Sequence, residues 1–289
     1  MKNKNTFILL LPWLLTLSLF WLFPIIYSLI LSFTKYSILT GQAVWIGLSN
    51  YFELFKDPDF WTALKNTTFF VVGTIPFTTF FALILAVLIN QKIPLKGLFR
   101  AGFFLPSITS LVVIALIFTN LYAKDGYINF LFEVVGLPTP EKGWLLSEKT
   151  ALLSIMAMDI WMATGFYMLL FLAGLQTIPE ELYQTSEIYG ASFFQKLWHV
   201  TLPSIRPVML FVVLLNTIKS FQIFVEIFVM TKGGPLNSTL TMVYMVYDTG
   251  LHKFRMGYAS ATAYVLFFII LIFSLIQLKL FRVGKAVGE

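Results

Sequence analysis

Six long apolar stretches constrain this chain more than any other feature of its sequence. They lie near residues 7–33, 67–90, 99–122, 150–174, 204–230 and 258–282. A helix needs about 20 predominantly apolar residues to cross the hydrocarbon core of a bilayer, and each stretch reaches that length. The sequence therefore predicts an all-α, polytopic membrane protein with about six transmembrane helices.

The composition supports lipid as the solvent for much of the surface. Of the 289 residues, 58% are hydrophobic and 12% are charged, which is about half the charged fraction of a typical soluble domain. The first stretch is too long for the apolar core of a signal peptide, and no small-residue cleavage site follows it. Because no repeat or linker is evident, we predict one membrane domain over residues 1–289.

Basic residues predict the orientation of the chain. The turn at residues 91–100 carries three basic residues and no acidic one. If both termini are cytoplasmic, the outside loops carry almost as many basic residues as the inside segments, but over a greater total length. The density of Lys and Arg is then higher inside, as expected for cytoplasmic loops. We therefore predict a multi-pass protein of the cell membrane with both termini in the cytoplasm, and no nucleic-acid partner.

Residue types that carry catalysis or bind metals are scarce. The chain has no Cys, and its two histidines, His199 and His252, have no metal-ligating neighbour at i+3 or i+4. Gly284-Lys285 is followed by Ala286, so the phosphate-binding pattern GxxxxGK[ST] is absent. We predict no catalytic residue, no metal site and no cofactor on this chain. Uphill transport would then depend on a partner or an ion gradient.

The most unusual segment lies between the fourth and fifth apolar stretches. From Ile178 to Pro207 it reads IPEELYQTSEIYGASFFQKLWHVTLPSIRP. Pro179, followed by Glu180 and Glu181, predicts the start of a helix, because acidic side chains are favoured at the positive end of its dipole. Gly190 predicts a break before a second short helix. An amphipathic helix at the membrane surface is the alternative.

The same segment resembles the coupling-loop signature of permease subunits in binding-protein-dependent ABC importers, especially the carbohydrate-uptake branch. The shared pattern is IPxELYxxxxxxGAxxxxxxxxxTLPxxxP. In that family the loop forms a short helix that docks into a cleft on a cytoplasmic ATPase. The resemblance implies a cytoplasmic coupling helix within residues 177–203, between spans four and five. The ATPase-coupling residues that it implies are Glu181, Gln184, Thr185, Ser186, Gly190, Leu202 and Pro203.

The resemblance covers nearly the whole chain, although the coupling loop departs from the family pattern at two places. The family usually has Glu-Ala-Ala where this chain has Gln184-Thr185-Ser186, and it often has Asp in place of Tyr189. These departures affect docking to the ATPase. Other segments resemble the family in the same order along the chain: Trp45–Tyr51, Phe60–Thr67, Phe99–Pro106, Thr231–Pro235 and Gly257–Ala259.

The resemblance also implies partners and an energy source. A pair of cytoplasmic ATPase subunits would bind ATP and Mg²⁺, and a second, homologous permease would complete the pathway. An extracytoplasmic solute-binding protein would deliver the solute. The chain is then expected to be a transport subunit for a sugar or oligosaccharide, and not an enzyme.

Polar residues inside the fifth stretch predict one side of a pathway. Asn216, Lys219, Ile223 and Glu226 follow a 3-4-3 spacing that places them on one helical face, with Ser220 beside it. Polar groups inside a membrane usually face a cavity or a partner chain. In similar sugar permeases this helix lines the translocation cavity, so the resemblance implies substrate contacts at Asn216, Lys219, Ser220 and Ile223.

The fourth stretch offers further candidates for the same pathway. It contains Asp159, Trp161 and Tyr167, together with three residues that we select as candidates. Aromatic faces stack well on sugar rings. Packing against neighbouring helices is the alternative for each of these side chains. The candidates for substrate contact are Met162, Ala163 and Phe166.

Lys219 has two interpretations. It either attracts an anionic solute or forms a structural ion pair with Asp159 or Glu226, which would offset part of its burial cost. The ion pair is favoured, although Glu226 lies roughly 10 Å from Lys219 along a helix axis, which would strain a direct pair.

Other functions remain as alternatives. An importer for a polyol or a glycerol-phosphate-type solute would resemble a sugar permease closely. An ion-driven secondary transporter would predict inverted repeats and paired broken helices, and no internal repeat is evident. A membrane scaffold without transport activity would not need a structured helix pair at residues 177–203.

Overall fold

A computed structural model describes residues 2–39, 41–91 and 93–282, with side chains from residue 9 to residue 281 except Thr40 and Lys92. Its backbone forms two compact units. One unit contains the described residues before Thr62 together with Met245–Phe268. The other contains Thr62–Tyr244 together with the described residues from Ile269 onward.

Helices dominate the described chain, which confirms the predicted all-α class. The helices are α1 (Lys2–Leu17), α2 (Phe23–Ser32), α3 (Ser49–Lys56), α4 (Pro58–Asn90), α5 (Lys96–Ile108), α6 (Leu111–Leu121), α7 (Tyr127–Val134), α8 (Ala151–Leu175), α9 (Glu180–Ile188), α10 (Phe193–Lys196), α11 (Leu202–Ser204), α12 (Arg206–Phe221), α13 (Val225–Met230), α14 (Met242–Tyr247) and α15 (Met256–Arg282). Two short strands, β1 (Thr34–Tyr36) and β2 (Ala43–Trp45), pair antiparallel.

Short helical turns of other types complete the secondary structure. A 3₁₀ turn covers Trp144–Leu146. The π-helical turns are Ser18–Leu22, Leu197–Thr201 and Asp248–His252. The first of these joins α1 to α2, so the N-terminal apolar stretch forms one continuous helical rod.

Long apolar helices confirm the prediction of a polytopic membrane protein. Within the described residues, five segments are long and apolar enough to cross a membrane, or six if one bent helix pair counts as a single span. The bent pair is α5 with α6. The five segments are Leu9–Ser32, Pro58–Asn90, Ala151–Leu175, Arg206–Met230 and Met256–Phe281.

The third predicted span, residues 99–122, is wrong as a single helix. The axes of α5 and α6 form a bend of 92°. Pro106 has no N–H and therefore cannot bond to the carbonyl of Gly102. Thr109 has extended backbone angles and its hydroxyl donates to the Leu105 carbonyl at 2.8 Å. Local bonds of this kind compete with continuation of a helix.

The fifth predicted span is also interrupted. α12 ends at Phe221 and α13 begins at Val225. The N–H of Gln222 donates to the Lys219 carbonyl at 3.0 Å, one residue short of the usual α-helical partner. The hydroxyl of Thr241 donates to the Ile223 carbonyl at 3.4 Å within the break. The predicted continuous face from Asn216 to Glu226 is therefore wrong, because Ile223 lies in the break and Glu226 on the second helix.

α8 forms the centre of the second unit. Two thirds (67%) of its most apolar window is buried, compared with 33% for Arg206–Met230 and none for Leu9–Ser32. The buried cluster around α8 takes small residues from α4 and larger ones from α8 and the start of α12: Ala82, Ala86, Tyr167, Phe171, Ile205 and Val212. The small residues on α4 allow the helices to approach closely, as is common in membrane bundles.

Polar contacts organise the first unit. The amide of Asn50 donates to the carbonyls of Ser32 and Thr34 at 2.8 and 2.9 Å and ties α3 to the end of α2. Arg255 forms a bidentate ion pair with Glu53, with both distances 2.7 Å. These contacts join α3 to the segment before α15.

Candidate functional site

A cavity of about 250 Å³ lies in the second unit, between α5, α8 and α12. It brings together four of the predicted pathway residues, three from α8 and one from α12. The lining residues are Ser107, Met162, Ala163, Phe166, Tyr167 and Lys219. Of these, Ser107 was missed by the sequence analysis, although it follows the helix-breaking Pro106.

The aromatic part of the cavity comes from two adjacent residues of α8. The rings of Phe166 and Tyr167 meet edge to face, with centroids 5.3 Å apart. Tyr167 is 2% exposed and belongs to the core, whereas Phe166 is 43% exposed. Met162 and Ala163 are buried. The aromatic face most accessible to a ligand is therefore that of Phe166.

Lys219 is the charged group of this cavity. Its side chain is exposed, and among the described residues no carboxylate oxygen lies within 4.0 Å of its ammonium group. Asp159 and Glu226 are buried, at 5% and 4% exposure, and each interacts electrostatically with Lys219 at longer range. Among the described residues, Lys219 therefore forms no direct ion pair with Asp159 or Glu226 in this structure.

The other α12 candidates form a buried polar group behind the cavity wall. Asn216 is 1% exposed, and its Oδ1 atom accepts a hydrogen bond from Ser220 at 3.3 Å. Ser220 in turn accepts from Thr74 at 3.4 Å. Within the described residues, the Nδ2 atom of Asn216 is buried without a hydrogen-bond partner. Neither these residues nor the buried Ile223 line the cavity in this conformation.

The predicted coupling loop forms a helical hairpin of α9 and α10, named here the α9–α10 hairpin. Gly190 ends α9 with a φ of +72°, the left-handed conformation that glycine adopts without strain. Its N–H donates to the Glu187 carbonyl, and the N–H of Ala191 donates to the Ser186 carbonyl, both at 2.9 Å. These two bonds form a Schellman motif. A Cβ at Gly190 would meet nothing within 4 Å, so its φ alone requires glycine here.

Side chains fix the second arm of the hairpin. Ser192 and Gln195 form a reciprocal capping box at the start of α10. Lys196 donates to Glu187 at 2.8 Å across the turn. This hydrogen bond and the lysine charge hold the pKa of the Glu187 carboxyl below its usual range. The hydroxyl groups of Tyr183 and Thr201 lie 3.0 Å apart and join α9 to the segment that leads to α12.

The tip of the hairpin is exposed and apolar. Ile188 and Tyr189, beside Gly190, are each 85% exposed. The exposed members of the predicted coupling set are Glu181, Gln184, Thr185, Gly190 and Pro203, while Ser186 and Leu202 are half-buried. Large apolar side chains at such exposure mark interaction sites when they cluster. The hairpin therefore ends in an exposed apolar tip.

The described residues thus combine long apolar helices, a cavity with a cation and an aromatic face, and a structured hairpin between the fourth and fifth spans. The chain belongs to the family of binding-protein-dependent transport system inner membrane components, which matches residues 78–282.

Several curated permeases are similar over nearly their whole length. The probable ABC transporter permease protein YurN of Bacillus subtilis is 35% identical, covering 99% of both chains. The lactose transport system permease protein LacF of Rhizobium radiobacter is 33% identical, covering 98% of this chain and 96% of the relative. The arabinooligosaccharides transport system permease protein AraP of Bacillus subtilis is 35% identical, covering 99% and 91%.

A solved structure supports the fold. A chain in the crystal structure of a bacterial ABC transporter that imports the acidic polysaccharide alginate matches with a TM-score of 0.85 at 22% identity. The match covers 99% of this chain and 97% of the other. The bent third span and the interrupted fifth span therefore occur within a known permease fold.

Proposed function

We propose that this chain is the membrane-spanning subunit of an ATP-driven importer for a sugar or oligosaccharide, and that it forms half of the translocation pathway. The observation that carries the proposal is the near full-length identity of 33% and 35% to permeases named for lactose and arabinooligosaccharide transport. The cavity fits this use, since it combines an aromatic face with polar groups that can bond sugar hydroxyls.

The proposed assembly has four kinds of subunit. Two cytoplasmic ATPase subunits bind ATP and Mg²⁺ and dock against the α9–α10 hairpin, whose apolar tip supports this role. A second, homologous permease completes the pathway, and the unburied N-terminal span Leu9–Ser32 supports a further membrane partner. An extracytoplasmic solute-binding protein delivers the solute. Both termini lie in the cytoplasm, which the basic turn at residues 91–100 supports.

An acidic or phosphorylated solute is a second candidate. The observation that favours it is the exposed ammonium group of Lys219, which has no ion-paired carboxylate within 4.0 Å among the described residues. A glycerol-phosphate-type solute or an acidic sugar would supply the missing anion. Two broken spans are also compatible with an ion-driven transporter, but the family match favours ATP-driven transport.

The first test examines which proteins co-purify with this chain. The tagged chain is purified from its native membrane in mild detergent, and co-purifying proteins are identified by mass spectrometry. We expect an ATPase and a second permease of similar length. Recovery of this chain alone under several mild conditions would contradict the proposed assembly.

The second test is transport by the complete complex. The complex and its binding protein are reconstituted in liposomes, and uptake of neutral and acidic oligosaccharides is measured with ATP. A complex whose ATPase cannot hydrolyse ATP serves as the control. We expect uptake that depends on hydrolysis. Uptake driven by an ion gradient without ATP would support the secondary-transporter alternative.

A further inference from the structure

Ser107 bonds two backbone groups of α8 beside the cavity. The N–H of Phe166 donates to the Oγ atom of Ser107 at 3.1 Å, and that hydroxyl donates to the Met162 carbonyl at 2.5 Å. In a regular α-helix these two groups, four residues apart, lie on the same side of one turn. One side chain from α5 therefore bridges the backbone donor and the backbone acceptor of this turn of α8.

The backbones of α5 and α8 are close enough for this bridge. A Cβ added to Gly165 would lie 1.9 Å from the carbonyl oxygen of Phe103, so only glycine permits this approach. Ser107 lies one turn after Phe103, and its short side chain reaches Phe166, the residue next to Gly165.

Both groups that Ser107 bonds belong to cavity-lining residues. Met162 and Phe166 line the cavity, and so does Ser107 itself. α5 ends at Ile108, immediately before the 92° bend to α6. The hydroxyl thus connects the bent third span to the turn of α8 that carries the accessible aromatic face.

We propose that Ser107 is a positioning residue of the translocation cavity. Its hydroxyl ties the turn from Met162 to Phe166 to α5 through two hydrogen bonds and thereby sets the position of the Phe166 ring. The proposal rests on the proposed function, because the cavity is taken to bind the transported solute. Without the hydroxyl these two bonds between α5 and α8 are lost, so the turn and its ring move.

Two variants and one matched control test the role in the complete complex. Ser107→Ala removes the hydroxyl, and Ser107→Thr keeps it. Thr119→Ala is the control, because the Thr119 hydroxyl donates only to the Ala115 carbonyl of its own helix, at 2.8 Å. We expect Ser107→Ala to raise the half-saturating solute concentration about fivefold, which corresponds to roughly 1 kcal/mol.

The maximal uptake rate and the yield of assembled complex should change less than about twofold, because the loss of one neutral hydrogen bond is small beside the stability of a folded protein. Ser107→Thr should restore the half-saturating concentration, and Thr119→Ala should leave it unchanged. Uptake by Ser107→Ala that is indistinguishable from wild type would overturn the proposal. Equal impairment of the Ala and Thr variants would also overturn it, since that result indicates packing alone.

Amide hydrogen exchange gives a readout that does not need the transported solute. It is measured on the purified complex for peptides that cover residues 162–168. Ser107→Ala should change the exchange of the Phe166 amide, while Ser107→Thr and Thr119→Ala should not. Unchanged exchange in Ser107→Ala would overturn the positioning role, whereas changed exchange in a complex that transports no sugar would contradict only the proposed function.

Discussion

Gly165 lies directly against the backbone carbonyl of Phe103, so that a Cβ at this position would lie 1.9 Å from the oxygen. The oxygen belongs to the backbone of α5 and cannot move independently of that helix. The distance between α5 and α8, and with it the cavity between them, therefore depends on the missing side chain. Among the helix contacts of the second unit, this contact has the least room for substitution.

We expect Gly165→Ala to destabilise the protein by about 1–3 kcal/mol or more, the usual cost of overpacking a close contact. Thermal unfolding in detergent measures the effect. Gly102→Ala on the same α5 surface is the matched control, because a Cβ there meets nothing within 4 Å. Gly174→Ala should be intermediate, since its nearest neighbours are side-chain atoms of Val208, at 2.7 Å or more. Equal melting of Gly165→Ala and Gly102→Ala would contradict the prediction.

The turn of the α9–α10 hairpin gives a second prediction, which depends on backbone conformation alone. A branched residue at Gly190 must adopt a φ near +72°, which costs roughly 1–2 kcal/mol. Gly190→Val should therefore reduce ATP-driven uptake severalfold without loss of the membrane-inserted chain. Gly190→Asn should retain most of the uptake, because Asn tolerates the left-handed conformation.

A matched control variant distinguishes the effect of backbone strain from the effect of a position in the hairpin. Gly136 also has a positive φ, +74°, with nothing within 4 Å of its missing Cβ, but it lies outside the hairpin. Gly136→Val should carry the same backbone strain and leave uptake nearly unchanged. If both valine variants reduce uptake equally, the loss reflects general destabilisation and not the hairpin.

The turn at Gly190 and the six apolar stretches are features that the sequence can predict. The turn at Gly190 depends on local rules: acidic residues after Pro179 start a helix, and a left-handed glycine ends it. The six apolar stretches likewise follow from length and composition. Both predictions therefore required no knowledge of distant residues.

The breaks and the cavity depend on partners far along the chain. The carbonyl of Ile223 in the fifth span accepts from Thr241, and Ser107 from another helix bonds two backbone groups of α8. Helical periodicity treats each stretch as continuous, so it placed Ile223 and Glu226 on one face with Asn216. The ion pair favoured for Lys219 rested instead on the cost of burying its charge, and the side chain is exposed.

Asn216 gives a third prediction, because its Nδ2 atom is buried without a partner among the described residues. A transported sugar hydroxyl that reaches this donor in another conformation would supply the missing bond. Asn216→Leu should then raise the half-saturating sugar concentration about tenfold, which corresponds to one hydrogen bond of roughly 1.4 kcal/mol. Its thermal midpoint should fall only slightly, because the loss of the acceptor for Ser220 is offset by removal of the unsatisfied Nδ2 atom.

Thr217→Val is the neighbouring control for Asn216. The Thr217 hydroxyl donates to the Val213 carbonyl and accepts from Gln277, both at 2.7 Å, so it is satisfied within the chain. This variant should lower the thermal midpoint, because it leaves the half-buried Gln277 donor unpaired, and should not change solute affinity. An Asn216→Leu variant that loses stability but keeps its affinity would assign Asn216 to packing.

Lys219 gives the prediction that decides the class of solute. Because its ammonium group is exposed and lies more than 4.0 Å from every described carboxylate, Lys219→Met should assemble normally. We expect it to spare uptake of a neutral sugar within about twofold and to weaken uptake of an acidic solute tenfold or more, the effect of losing about 1.4 kcal/mol of attraction. Competition assays in the reconstituted complex measure the uptake of both solutes. Lys219→Arg, which keeps the positive charge, is the control.

Failure of Lys219→Met to assemble, with rescue by Lys219→Arg, would contradict this account. In that case the cation is needed to balance the buried charges of Asp159 and Glu226, whose electrostatic interaction with Lys219 extends beyond ion-pair distance. A double variant with Asp159→Asn should then restore assembly, because removing one buried carboxylate removes the need for its counter-charge. Normal assembly of Lys219→Met alone leaves the cavity as the place where the lysine acts.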